Sequence, residues 1–152
     1  MDKCSPYNGD HTVGTEAPVS QSPVRVEDEA SGRYLEAWVR FVGEDLVVVV
    51  GGGEQPHVGC VVLAQPYPSK KGGGEFSASS SVLTIPPHKE EAIARPIACR
   101  LAQSSGRVTV VTAGVHDDNL SGEGVACYLR LAEELAEVLA DTVGRTSIRY
   151  TR

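Results

Sequence analysis

The sequence predicts an α/β domain of the mixed α+β type: a mostly antiparallel meander with one parallel β-α-β crossover, in the order β-β-β-β-α-β-α, with two helices packed on the sheet. Three observations lead there. Short valine-rich runs bounded by glycine and proline recur through the first half of the chain. Two longer segments with helical apolar spacing fill the second half. One further valine run lies between those segments, so the first helix serves as a crossover between strands.

Residues 1–24 are rich in Ser, Pro, Gly, Asp and Thr and cannot bury enough apolar surface to offset ordering entropy. They read as a disordered tail, and residues 25–152 as a single α/β domain. Across 33–42, Leu35, Ala37, Val39 and Phe41 alternate with Tyr34, Glu36, Trp38 and Arg40, the period of a half-buried strand. Gly43-Glu44-Asp45 makes a turn. The continuous run Leu46-Val47-Val48-Val49-Val50 suits a central strand covered on both faces. Gly51-Gly52-Gly53 then breaks the pattern, and residues 58–64 resume as a strand. Pro66, Pro68 and Gly72-Gly73-Gly74 mark a loop before a fourth strand over 79–85.

Pro86-Pro87 ends that strand, and Ile93, Ile97 and Leu101 give residues 88–104 a helical stripe, with a kink or split expected at Pro96. Gly106 closes the helix and a buried strand follows over 107–113, parallel to the strand before the helix. After a loop over 114–119, Ser121 caps a long helix that runs to Val143 and stops at Gly144. Its apolar stripe reads as Val125, Tyr128, Leu129, Leu135 and Leu139, with Glu133, Glu134, Glu137 and Asp141 facing water.

Composition narrows the function. The net charge of −6, with Lys70-Lys71 the only adjacent basic pair, argues against nucleic acid as a partner. The start of the chain, Met1 to Pro6, has no apolar signal region and no run is long enough to cross a bilayer; a cytoplasmic protein without membrane contact is expected. Cys4, Cys60, Cys99 and Cys127 show no CxxC spacing and read as reduced, mostly buried side chains. The triple glycine lacks GxGxxG spacing and a following helix, which argues against a dinucleotide fingerprint.

Three of the four histidines fall at breaks between elements: His57 after the glycines, His88 where strand hands over to helix, and His116 after the last strand. The parallel relation of the strands ending near Ile85 and Ala113 sets His88 and His116 on one sheet edge, and an antiparallel strand after His57 brings that ring to the same edge. Such an edge has three chemical uses. Imidazole with Asp117 or Asp118 suits zinc or manganese, although no HExxH-like spacing is present and no metal ligands are assigned. A small metal- or histidine-dependent enzyme, with His116 poised by a carboxylate, is the alternative function, yet no nucleophile motif accompanies it. The third use is an anion grip built from Gly52, Gly53, His57, His88, Lys89, His116, Asp117 and Asn119. The chain therefore reads as a binding or accessory protein more than a self-sufficient enzyme.

An apolar strand ending in GG, followed in order by HVG at 57–59, HKEE at 88–91 and AGVHDDN at 113–119, resembles the prenylated-flavin chaperone family, typified by the D subunit of gallate decarboxylase. The resemblance spans residues 43–143; the loop over 65–74 and the N-terminal tail depart from it. It implies an accessory protein that binds prenylated FMN or FMN transiently and assists its delivery to, or maturation in, a prenylated-flavin-dependent decarboxylase. A flavin prenyltransferase is the second implied partner. A third reading, from another class, is a structural subunit of a homo-oligomer, with the long helix and the valine-rich sheet forming the interface.

Overall fold

A computed structural model describes residues 22–70 and 73–145; most of the expected N-terminal tail lies outside the described residues. Among the described residues, six strands form one mixed sheet: β1 (Val24–Asp28), β2 (Arg33–Val42), β3 (Asp45–Gly53), β4 (Cys60–Pro68), β5 (Phe76–Thr84) and β6 (Thr109–His116). Two helices, α1 (Glu91–Ser105) and α2 (Gly122–Arg145), flank β6 in sequence. The α/β class, the two helices and the order of the expected elements are those read from the sequence. One strand is added: β1 pairs antiparallel with β2 through a turn in which Asp28 accepts hydrogen bonds from the Ser31 hydroxyl (2.6 Å) and backbone N–H (2.9 Å).

The strand order β1-β2-β3-β6-β4-β5 refines the expected meander. β6 inserts between β3 and β4, parallel to the first and antiparallel to the second. β5 and β6 run in the same direction, as the crossover requires, but β4 separates them. The hydrogen-bonded parallel pair is therefore β3 with β6.

Cross-strand rows define two unlike faces. The row Val39–Val48–Val111–Val62–Val82 and its neighbour Ala37–Val50–Ala113–Cys60 point at the helices. They bury against Ile93, Ile97 and Leu101 of α1 and against Leu131, Leu135 and Leu139 of α2. The opposite face carries Trp38–Val49–Thr112–Val61–Leu83 and has no helix on it among the described residues. The valine run is thus covered on one face only: Val49 is 44% and Leu83 76% exposed. A contiguous apolar surface of this kind marks an association site more often than a bare solvent face.

Local chemistry explains the shifted boundaries. β4 runs through Pro66 and Pro68 because its pairing with β6 ends at Ala64, leaving that side an edge where a missing N–H costs no ladder bond. α1 is continuous through Pro96, which corrects the expected split. Gly106 ends it in the left-handed conformation (φ 66°), its N–H bonded to the Ala102 carbonyl. Ser121 caps α2 through a 3.2 Å bond from the Gly124 N–H, and the helix continues one residue past Gly144. The buried stripe of α2 pairs leucines with alanines (Leu131-Ala132, Leu135-Ala136, Leu139-Ala140), whereas Val125 and Leu129, expected in the core, are exposed. Glu133, Glu134, Glu137 and Asp141 face solvent as expected, and Glu137 clamps α1 through two 2.7 Å bonds from Arg100.

Cys60 is 1% exposed, and burial, with the nearby Glu90 charge second, pushes its thiol above the ordinary value. Iodoacetamide at mildly alkaline pH is accordingly expected to leave Cys60 unmodified in the native protein while the half-buried Cys99 reacts, as read by peptide mass mapping.

Candidate functional site at the C-terminal edge of the sheet

Topology builds this site. β3 and β4 lie on opposite sides of β6, so the connection 54–59 must cross over the C-terminal end of β6. It is fixed there by backbone bonds from Glu54 and Gln55 N–H to the His116 carbonyl (2.8 and 3.2 Å) and from Gly59 N–H to the Ala113 carbonyl (2.9 Å). The crossing is close: a Cβ on Gly114 would collide with the His57 carbonyl, so only glycine lets the loop pass. The sequence presents His57 above the sheet edge as a direct result.

The chain leaves β5 through Ile85, whose N–H bonds the Gly59 carbonyl (2.9 Å), and His88 closes a turn back onto Ile85 (2.9 Å). His88 therefore meets His57, with ring centroids 4.3 Å apart, and the His116 ring lies 6.4 Å from that of His57. Three imidazoles distant in sequence converge. The N-cap of α1 is Glu90, and Glu90 is the site residue that sequence reasoning missed. It is 8% exposed, its Oε1 lying 3.0 Å from His57 Nε2 and 3.3 Å from His88 Nδ1. The unread signal was Gly59: a side chain there would stand 2.5 Å from Glu90 Oε2, so that glycine makes room for the carboxylate.

The remaining candidates divide. Lys89 is exposed and shares with His88, Arg95 and Thr84 an open cleft of about 510 Å³. Lys89 and Glu90 also border a smaller, apolar cavity of about 170 Å³ lined by Val115, Leu120, Val125 and Leu129, which accounts for the exposure of the last two. His116 is exposed and pairs with Asp118 (3.0 Å). Asp117 joins neither ring; it accepts from the Tyr128 hydroxyl (2.9 Å) and the Glu54 N–H (3.1 Å) and pairs with Arg33 (3.3 Å). Burial first, and then the Asp117 bond, pushes the Tyr128 phenol upward, so it stays a donor. Gly52 is a packing residue, since a Cβ would stand 2.5 Å from the Tyr34 carbonyl oxygen. Gly53 (φ 72°) and Asn119 (φ 57°) supply left-handed backbone around the edge.

Residues 29–144 match the family model described as the prenylated flavin chaperone LpdD-like domain. The chain belongs to this family. It is 26% identical over 110 residues to Protein LpdD of Lactiplantibacillus plantarum, covering 71% of this chain and 76% of that relative. Among solved structures it is similar to a chain in the "Crystal Structure of a Novel Chaperone Complex for Yeast 20S Proteasome Assembly". There the TM-score is 0.52 at 16% identity, over 80% of this chain and 95% of that one, a likeness of fold alone. Family membership carries a prenylated-flavin-related accessory role, in agreement with the resemblance read from the HVG, HKEE and AGVHDDN strings. No helix among the described residues is long and apolar enough to cross a membrane.

Proposed function

We propose that this protein holds prenylated FMN, or FMN, transiently at the C-terminal edge of its sheet and assists its delivery to, or maturation in, a prenylated-flavin-dependent decarboxylase. The observation that carries the reading is the convergence of His57, His88 and His116 beside Lys89. The residues fit the group. Imidazoles, Lys89 and Arg95 offer donors of the kind a phosphate takes, and the N-termini of α1 and α2 open on the same edge. Val115, Leu120 and Leu129 supply apolar wall of the kind a flavin ring takes. The bound group would bring the decarboxylation chemistry; this chain's residues bind, orient and shield it.

The reading makes the protein an accessory factor, in line with the prenylated-flavin chaperone family it belongs to. His116 is half exposed and packs into no core, so His116→Ala is expected to weaken prenylated FMN binding about tenfold, the loss of one bond to a charged group. Stability should stay within about 0.5 kcal/mol of wild type. Anaerobic equilibrium dialysis and urea denaturation measure the two; unchanged affinity would move the flavin away from this ring. Transfer from the loaded protein to an apo-decarboxylase, against free cofactor, tests the delivery step.

The open sheet face supports the homo-oligomer, with a second copy stacking Val49, Val61 and Leu83 against its own, as sheets do at about 10 Å separation. Val49→Asp with Leu83→Asp is expected to convert an oligomer to monomer in light scattering while leaving flavin binding unchanged. A monomeric wild type contradicts this part of the reading.

A further inference from the structure

We propose that His57, His88 and Glu90 form a binding site for one divalent first-row transition-metal ion. Three ligand-type atoms, His57 Nε2, His88 Nδ1 and Glu90 Oε1, form a triangle with sides of 3.0, 3.0 and 3.3 Å. An ion bonded at roughly 2.0–2.2 Å keeps its neighbouring ligands about 3.0–3.4 Å apart, so a single point just off the plane reaches all three.

The protons argue the same way. His57 Nδ1 lies 3.1 Å from the Gln55 carbonyl, which can only accept, so Nδ1 carries the hydrogen. In the neutral ring Nε2 then turns its lone pair toward Glu90 Oε1, itself an acceptor, at 3.0 Å. Two acceptors at that distance repel unless a proton or a metal ion lies between them. The second oxygen sharpens the case: Glu90 Oε2 is buried with no hydrogen-bond partner among the described residues, an expensive placement for an uncompensated carboxylate. The supporting features of a metal centre are also there. Gln55 fixes the tautomer and orientation of His57, Gly59 clears space for the carboxylate, and backbone bonds pin both connections.

Two imidazoles select against magnesium and calcium and favour ions of the zinc, iron and manganese class. The His57 and His88 side chains are 26% and 30% exposed, so the unfilled coordination positions face solvent, where water or an anion completes the shell. His116, held by Asp118, is outside the set, as is Asp117. The inference uses two of the rings of the flavin reading: an ion held there would turn its open positions toward the cofactor's phosphate, and titration of flavin-free protein tests it apart from that reading.

The test uses the untagged full chain, stripped with chelator and free of flavin, titrated calorimetrically with zinc chloride and separately with manganese chloride. One ion per chain is expected. His57→Ala, His88→Ala and the near-isosteric Glu90→Gln should each weaken binding beyond the roughly 10–100-fold that loss of a mere supporting contact brings. His116→Ala, whose ring pairs with Asp118, should leave it unchanged. Circular dichroism identifies any variant that fails to fold, and cobalt(II) substitution of wild type should then give a spectrum without thiolate charge transfer, excluding Cys60. No uptake by wild type, uptake untouched by Glu90→Gln in a folded variant, or a thiolate band would overturn the proposal.

Discussion

Replacing Gly114 by alanine is expected to destabilise the protein by about 3 kcal/mol, the range of the severe single-residue mechanisms, and to remove its edge site as well. The added methyl has nowhere to go. It points at the His57 carbonyl where the 54–59 connection crosses β6, and both partners are backbone, which cannot swing aside as a long side chain can. Either β6 shifts out of its ladder with β3 and β4, or the connection lifts and takes His57 away from His88 and Glu90. Urea denaturation measures the first outcome and flavin binding the second. A folded Gly114→Ala protein with wild-type affinity would mean that the crossing has no part in the site.

The second large effect belongs to the paired rings. Combining His57→Ala with His88→Ala is expected to lower prenylated FMN affinity about 100-fold, two bonds to a charged group at roughly 1.5 kcal/mol each. The same change removes the two rings that would hold a cation against the buried Glu90 carboxylate, leaving its charge uncompensated. Some loss of stability should therefore accompany it, and that loss should be reversed by adding Glu90→Gln, which removes the charge while keeping the shape. Affinity should not return with stability. Thermal denaturation of the double and triple variants, beside dialysis with the cofactor, separates the two effects.

Much of this architecture is legible in the chain because it is local. The alternation across 33–42 gave β2 its observed bounds, and Pro86-Pro87 and Gly106 marked real ends, whereas Gly51–Gly53 lie inside β3, Pro66 and Pro68 inside β4 and Pro96 inside α1. The order of elements also brought His57, His88 and His116 to one edge, since strand direction follows from turns and crossovers. What escaped is non-local. β1 is five residues with two inward valines, too short to stand out until β2 pairs with it. The insertion of β6 between β3 and β4 leaves no periodic trace in either strand. The valine run carries the same residues whether one face is covered or two, so the open face emerged only with the helices in place. Glu90 was unreadable for a related reason: its burial depends on Gly59 and on the loop crossing above it.

The central claim is that the cofactor is held where the three imidazoles meet, and a crystal structure of the protein with prenylated FMN tests it most directly. Flavin density contacting His57, His88 and His116, with the ring against Val115 and Leu129, is the expected result. Density on the open face over Val49, Val61 and Leu83, with the histidine edge unchanged, would contradict it.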